Sequence, residues 1–91
     1  MLVLVSYDIS DDKRRQRVAK LLEGFGVRVL ESVFECDLTQ AQWAKLEKKL
    51  HRRLVAGQDR SRVYFLCETC SAKTQIFGGG SVESSPLTYI V

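Results

Sequence analysis

Leu2-Val3-Leu4-Val5 is a run of four apolar residues without alternation, and it constrains the fold more than any other stretch. A strand with one wet face alternates apolar and polar residues, so an unbroken run of this length suits a strand covered on both faces. Strand parity places Leu2, Leu4, Ser6 and Asp8 on one face, and Val3, Val5 and Tyr7 on the other. Asp8 therefore stands where a buried strand ends. The chain has 91 residues, enough for one domain with a modest core, which favours oligomerisation as extra stabilisation.

A basic amphipathic helix is predicted over 11–25. Ser10 is the expected N-cap, and Asp11 and Asp12 complement the positive end of the helix dipole. Val18, Leu21, Leu22 and Phe25 form the apolar stripe, and Gly24 or Gly26 closes the helix. Arg14 shares a face with Val18, Leu21 and Phe25, and Arg15 stacks with Ala19 and Leu22. Both arginines thus extend the core-facing side toward the helix start, the end nearest Asp8.

Residues 27–38 are rich in β-formers and read equally as one bent strand or two short ones kinked near Glu31-Ser32. In continuous pairing, Arg28 and Phe34 share a face. Thr39 and Gln42 make a capping box that opens a second helix, running to about Val55. Trp43, Leu46, Leu50 and Leu54 are its buried stripe, and Ala56-Gly57 stops it. Further strands are expected at 62–67, at 74–77 and, after Pro86, at 87–91. The order β-α-β(β)-α-β packs both helices on one face of an antiparallel sheet, an α+β sandwich of the ferredoxin-like type. Residues 1–80 form the domain and 81–91 a tail. The other sheet face needs a cover, and a homodimer packed through that face supplies it, with the tail reaching to the partner's sheet edge.

Composition narrows the function. No run approaches the roughly 18 apolar residues of a membrane span, and Asp8 and Asp11 follow the first apolar run too soon for a secretory signal. A cytoplasmic protein is expected. Three cysteines, an odd number, argue against a disulfide framework. Net charge is only +3, but the cations cluster. Lys13, Arg14, Arg15, Arg17 and Lys20 form one group; Lys45, Lys48, Lys49, Arg52, Arg53, Arg60 and Arg62 form another. Such clustering is the footprint of a polyanion binder, the plain alternative being two solvated helix faces. Guanidinium groups bind phosphate bidentately, and a carboxylate beside them at a strand end can hold a metal and receive a phosphate. For Asp8 the plain alternative is a turn residue. Cys67-Glu68-Thr69-Cys70 is a lone C-x-x-C; structural zinc would also need Cys36 and His51, whereas a reduced pair or a disulfide is less demanding.

Three strings carry a family resemblance. They are Tyr7-Asp8-Ile9-Ser10-Asp11-Asp12-Lys13-Arg14-Arg15, then Gly26 to Cys36 with the pattern R-V-x-x-S-V-F-E, and Asp59 to Leu66 followed by the C-x-x-C. From residue 2 to about 80 the chain resembles the CRISPR-associated endonuclease family Cas2. The resemblance implies a ferredoxin-like homodimer in which Asp8 of each subunit shares one divalent metal, usually Mg²⁺. It implies a metal-dependent phosphodiesterase acting on RNA or DNA, in antiviral defence. It also implies the central subunit of the complex that captures new spacers, held between dimers of the integrase Cas1; there nuclease chemistry is dispensable and the role is to hold DNA. Tyr7, Arg15, Arg17, Arg28 and Phe34 match positions the family associates with activity or nucleic-acid contact. Arg14 joins them by its orientation, with Glu35 or Asp37 as alternative partners. Phe34 is expected in the dimer core or stacked on a base. The leading expectation is a metal-dependent endonuclease with Asp8 as catalytic residue and metal ligand. The alternatives are a non-catalytic DNA-binding scaffold and, more weakly, a ferredoxin-like toxin ribonuclease.

Overall fold

A computed structural model gives the fold of residues 1–79; the expected strand at 87–91 and the tail at 81–91 lie outside the described residues. The elements are β1 (Leu2–Asp8), α1 (Asp12–Glu23), β2 (Val27–Leu30), β3 (Val33–Asp37), α2 (Gln40–Arg53), β4 (Arg60–Leu66) and α3 (Glu68–Ala72). The four strands form one sheet in the order β2-β3-β1-β4, with every pairing antiparallel. This is the ferredoxin-like arrangement. The unbroken apolar run occupies β1, an interior strand between β3 and β4.

Parity decides what each face does. Val3, Val5 and Tyr7 of β1 pack with Phe34 and Cys36 of β3 in the core built by Val18, Ala19 and Leu22 of α1 and Leu46 and Leu50 of α2. Trp43 of α2 meets the Phe65 ring of β4 edge-on, with centroids 5.1 Å apart. Leu4, Ser6 and Asp8, with their cross-strand partners Tyr64, Arg62 and Arg60, lie on the opposite face.

The helix starts are set by local chemistry. Asp11, not Ser10, caps α1: its carboxylate accepts from the Arg14 amide at 2.9 Å. Ile9 is still buried in the core, and the helix starts one residue later than expected, at Asp12. The capping box of α2 forms as expected. The Thr39 hydroxyl accepts from the Gln42 amide at 3.2 Å, and the Gln42 side chain accepts from the Thr39 amide at 2.9 Å. Residues 27–38 resolve as two strands joined by a turn at Glu31-Ser32, with a register irregularity between Arg28 and Leu30. Gly26 is required at the start of that hairpin, because any Cβ there would collide with the Glu35 carbonyl and the Cys36 sulfur.

A further expectation fails. Residues 74–77 are not a strand; among the described residues they have no neighbouring strand to pair with. The chain forms α3 instead, capped by the Cys67 sulfur, which accepts from the Cys70 amide at 3.3 Å. No described helix is long and apolar enough to cross a membrane.

Candidate active site and nucleic-acid interface

Asp8 is the last residue of β1 and pairs in register with Arg60, the first residue of β4. Two residues back, Ser6 pairs with Arg62. The pleat therefore brings a carboxylate, a hydroxyl and two guanidinium groups to the sheet face away from the helices. Arg60 Nη2 donates to Asp8 Oδ2 at 3.5 Å, with the side chains 85% and 78% exposed. They line an open cavity of about 530 Å³ with Ser6, Tyr7, Asp59, Ser61 and Arg62. The Arg62 guanidinium donates to the Tyr64 hydroxyl at 3.1 Å.

Behind this cavity lies a second acid–base pair of different character. Arg14 Nε and Nη2 donate to the two oxygens of Asp59 at 2.7 and 3.0 Å. The Val55 amide adds a third hydrogen bond to that carboxylate at 2.8 Å, and the Asp59 side chain has no exposed surface. The Arg14 hydrogen bonds hold the Asp59 carboxyl below its usual range, helped by the Val55 amide and opposed by burial. Arg14 was expected in the phosphate grip, with Glu35 or Asp37 as other partners. Its partner is Asp59, and it also donates to the Gln58 side chain at 3.3 Å.

Arg15 and Arg28 do come together, but on the helix side of the sheet. Arg15 Nη1 donates to the Ile9 carbonyl at 3.2 Å, and its guanidinium pairs with Asp12. Arg28 Nη1 donates to the Glu31 carbonyl at 3.2 Å, and its guanidinium lies 5.3 Å from the Phe34 ring centroid. The two arginines line a small cavity of about 120 Å³ with Tyr7, Gln16, Ala19, Glu31 and Ser32. Arg17 is exposed on α1.

Two expected site residues belong to the core. Phe34 is fully buried within one chain. It pairs with Val5 and so points under the helices, where it neither reaches a partner subunit nor stacks on a base. Tyr7 is 4% exposed, its ring stacked on Phe34 with centroids 6.3 Å apart and its hydroxyl donating to the Glu31 carbonyl at 3.5 Å. It positions the β2–β3 turn and offers no ring to a nucleotide.

The four-ligand zinc set does not assemble. Cys36 is buried, Cys67 and Cys70 are exposed on α3, and no group of three or more His, Cys, Asp or Glu side chains is placed to hold a metal among the described residues. Burial, with a contribution from Glu35, pushes the Cys36 thiol up to about 11. Glu35 is itself buried, and one of its carboxylate oxygens has no hydrogen-bond partner among the described residues. Asp8 remains as the exposed hard-oxygen donor. A cation such as Mg²⁺ takes one or two carboxylates and keeps several waters, and Asp8 offers one such carboxylate, largely exposed in the single chain.

Sequence reasoning missed Arg60 and Arg62 as the cations beside Asp8. The expected strand began at 62, with Arg62 and Tyr64 on one face; Arg60 read as part of a turn, whereas it opens β4, and the register that sets both arginines against β1 was not visible.

Comparisons with known proteins agree with one another. A family model described as CRISPR associated protein Cas2 matches residues 1–74. The chain is 50% identical over 93 residues to a Chloroflexus aurantiacus protein named CRISPR-associated endoribonuclease Cas2 1, covering 100% of each. The crystal structure of Streptococcus pyogenes Cas2 at pH 6.5 matches with TM-score 0.76 and 34% identity, over 86% of this chain and 100% of that one. A chain of a partial Cas6-RT-Cas1–Cas2 complex matches with TM-score 0.57 and 31% identity, over 68% of this chain and 76% of that one.

Proposed function

Because the chain belongs to the CRISPR-associated Cas2 family, we propose that it acts in CRISPR adaptation as a nucleic-acid-binding homodimer with a metal-dependent phosphodiesterase centre at its Asp8 carboxylates. The placement of Asp8 carries the proposal: an exposed carboxylate at the end of β1, on the sheet face the helices leave bare. Two chains packed through that face bring their Asp8 side chains together about one axis. Each supplies one hard-oxygen ligand, and Mg²⁺ or another divalent ion suits such a pair. When bound, the ion supplies Lewis-acid polarisation of a phosphate. The chain's own residues do the rest. Asp8 holds the centre, while Arg15, Arg17 and Arg28 grip backbone phosphates of RNA or DNA without reading sequence. Arg14 and Tyr7 act from behind, by fixing the segments that carry these groups. The protein would work in the cytoplasm.

The test compares wild type and Asp8→Ala on RNA and on duplex DNA with Mg²⁺. Cleavage is expected from wild type alone. Equal cleavage by both removes the catalytic claim.

A second reading, a scaffold without catalysis, is favoured by the match to a chain of a Cas1–Cas2 complex. Here the basic surfaces grip a DNA backbone between integrase subunits. Duplex binding is then independent of sequence and weakens steeply with salt, and Arg→Ala changes at Arg15, Arg17 or Arg28 reduce the salt slope. Binding insensitive to salt would exclude it.

A further inference from the structure

Cys67-Glu68-Thr69-Cys70 plays no part in the reaction proposed above, yet its two thiols are held together. Cys67 is the N-cap of α3, and its sulfur accepts from the Cys70 amide at 3.3 Å. That sulfur already sits beside the residue that carries the second thiol. Both cysteines are exposed. Cys67 also lies off the sheet face that a second copy would cover. Its backbone is still extended, with φ −69° and ψ 165°, so strand parity sets it with Val63 and Phe65 on the helix side.

The two thiols are not equivalent. Hydrogen bonds from the Cys70 amide and the Cys70 thiol hold the Cys67 thiol below its usual range. The contact with Cys67 pushes the Cys70 thiol up, with Lys73 acting against the rise. Thiol–disulfide exchange starts at the sulfur that ionises more readily, which is Cys67. Once Cys67 has reacted it carries no negative charge, so the cause of the rise at Cys70 is gone and Cys70 can attack in turn. Cys36 stands apart, buried beneath the helices with its thiol pushed up to about 11.

α3 gives such a bond something to hold. It has five residues, and a helix that short does not sustain itself. The Ser71 amide donates to the Cys67 carbonyl at 2.8 Å, and the Lys73 amide donates to the Cys70 carbonyl at 3.1 Å. Both accepting carbonyls belong to the two cysteines, so a link between their sulfurs braces the turn by which the chain leaves β4.

We propose that Cys67 and Cys70 form a dithiol site for small-molecule disulfides, in which exchange closes an intrachain disulfide that staples α3. The Cys67 thiolate attacks one sulfur of the incoming disulfide, forming a mixed disulfide and releasing one thiol. The Cys70 thiolate then attacks the Cys67 sulfur and expels the second thiol. The protein gives up two electrons and two protons, and the small disulfide takes up both and leaves as two thiols. The site is independent of the reading of Asp8.

The full-length protein is equilibrated in buffers of oxidised and reduced glutathione and followed by intact mass. Wild type should lose two hydrogens and retain no glutathione, whereas Cys70→Ser should stay trapped as a glutathione adduct at Cys67. Limiting iodoacetamide at pH 7 should label Cys67 about threefold or more faster than Cys70 in reduced wild type. Oxidation should slow hydrogen exchange at the Ser71 and Lys73 amides about fivefold or more. Glutathione adducts that persist on wild type overturn the closure, and thiols that stay unreactive in the folded protein overturn the site. Equal labelling overturns the order of attack, and unchanged exchange at Ser71 and Lys73 overturns the staple. Tight binding of Zn²⁺ at one ion per two chains, with exchange blocked, would make the pair half of a four-cysteine metal site and overturn the proposal.

Discussion

Asp59 and Arg60 are neighbours in the chain and take part in ion pairs of opposite kinds. Asp59 is wholly covered and accepts two hydrogen bonds from Arg14 and one from the Val55 amide. Arg60 offers one long hydrogen bond to Asp8, and both side chains are largely exposed in the single chain. The two pairs have the same chemistry, and the same turn carries them. Burial and the number of donors separate them. A covered carboxylate that loses its guanidinium loses two close hydrogen bonds at once, whereas an exposed pair exchanges partners at little cost. The first pair fixes the shape of the cavity rim, and the second leaves its charges available.

The contrast is easiest to break at its strong end. Asp59→Ala should lower Tm by on the order of 10 °C at fixed protein concentration, read by calorimetry. It strands the Arg14 guanidinium and the Val55 amide and loosens the start of β4. A drop no larger than that of an exposed variant would make the two pairs equivalent.

The same carboxylate sets a pH dependence. Its folded-state pKa is depressed, chiefly by Arg14, so its stabilising effect is present above the unfolded value of about 3.9 and is lost as pH falls through the folded value. Wild type should therefore exceed Asp59→Asn in stability at pH 7, and the two denaturation curves should converge in the acid limb, below about pH 4.

Glu35 sharpens the contrast from the other side, as a buried carboxylate with an oxygen unpartnered among the described residues. Burial raises its pKa, so ionisation weakens the fold at neutral pH and protonation relieves it as pH falls from the folded value toward the unfolded one. Glu35→Gln should raise Tm by about 2–4 °C at pH 7, with the gain disappearing near pH 4. A loss of stability at pH 7 would mean that the carboxylate is paired in the assembled protein. The smallest effect belongs to Arg60→Ala, which should move Tm by no more than about 2 °C, since exposed pairs contribute little.

Much of this was legible in the residues, and the misses share a cause. The apolar run of β1 and the capping box of α2 are local patterns, and each formed where the sequence placed it; α2 itself stops at Arg53, short of Val55, and leaves Leu54 of the expected stripe in extended backbone. The direction of Arg14 toward the interior was local too, but its partner lies 45 positions away and no periodicity points to it. Parity correctly joined Arg28 to Phe34. It did not say which of the two sheet faces the helices cover, so Phe34 was assigned a role outside the chain that its burial forbids. α3 has five residues and no apolar stripe, so nothing periodic announced it. Asp8 was found because it ends a strand, and Arg60 was missed because finding it required the register of a pairing between distant segments. The family strings supplied the metal expectation for Asp8, and local chemistry alone favoured a helix-entry or turn residue.

The span between Asp8 and Arg60 has a consequence in time as well as in space. The two residues are separated by 52 positions, and β4 is the last of the described strands to leave the ribosome. Before it arrives, the nascent chain can already pair β1 with β3 and set both helices against them, because those segments are complete by residue 53. Docking β4 closes the longest loop in the sheet, and such non-local pairings are slow relative to helix and hairpin formation. A half-made chain therefore carries Asp8 without its facing arginines and without the edge of the cavity. The domain therefore gathers most of its core first and the Arg60 and Arg62 side of the cavity last.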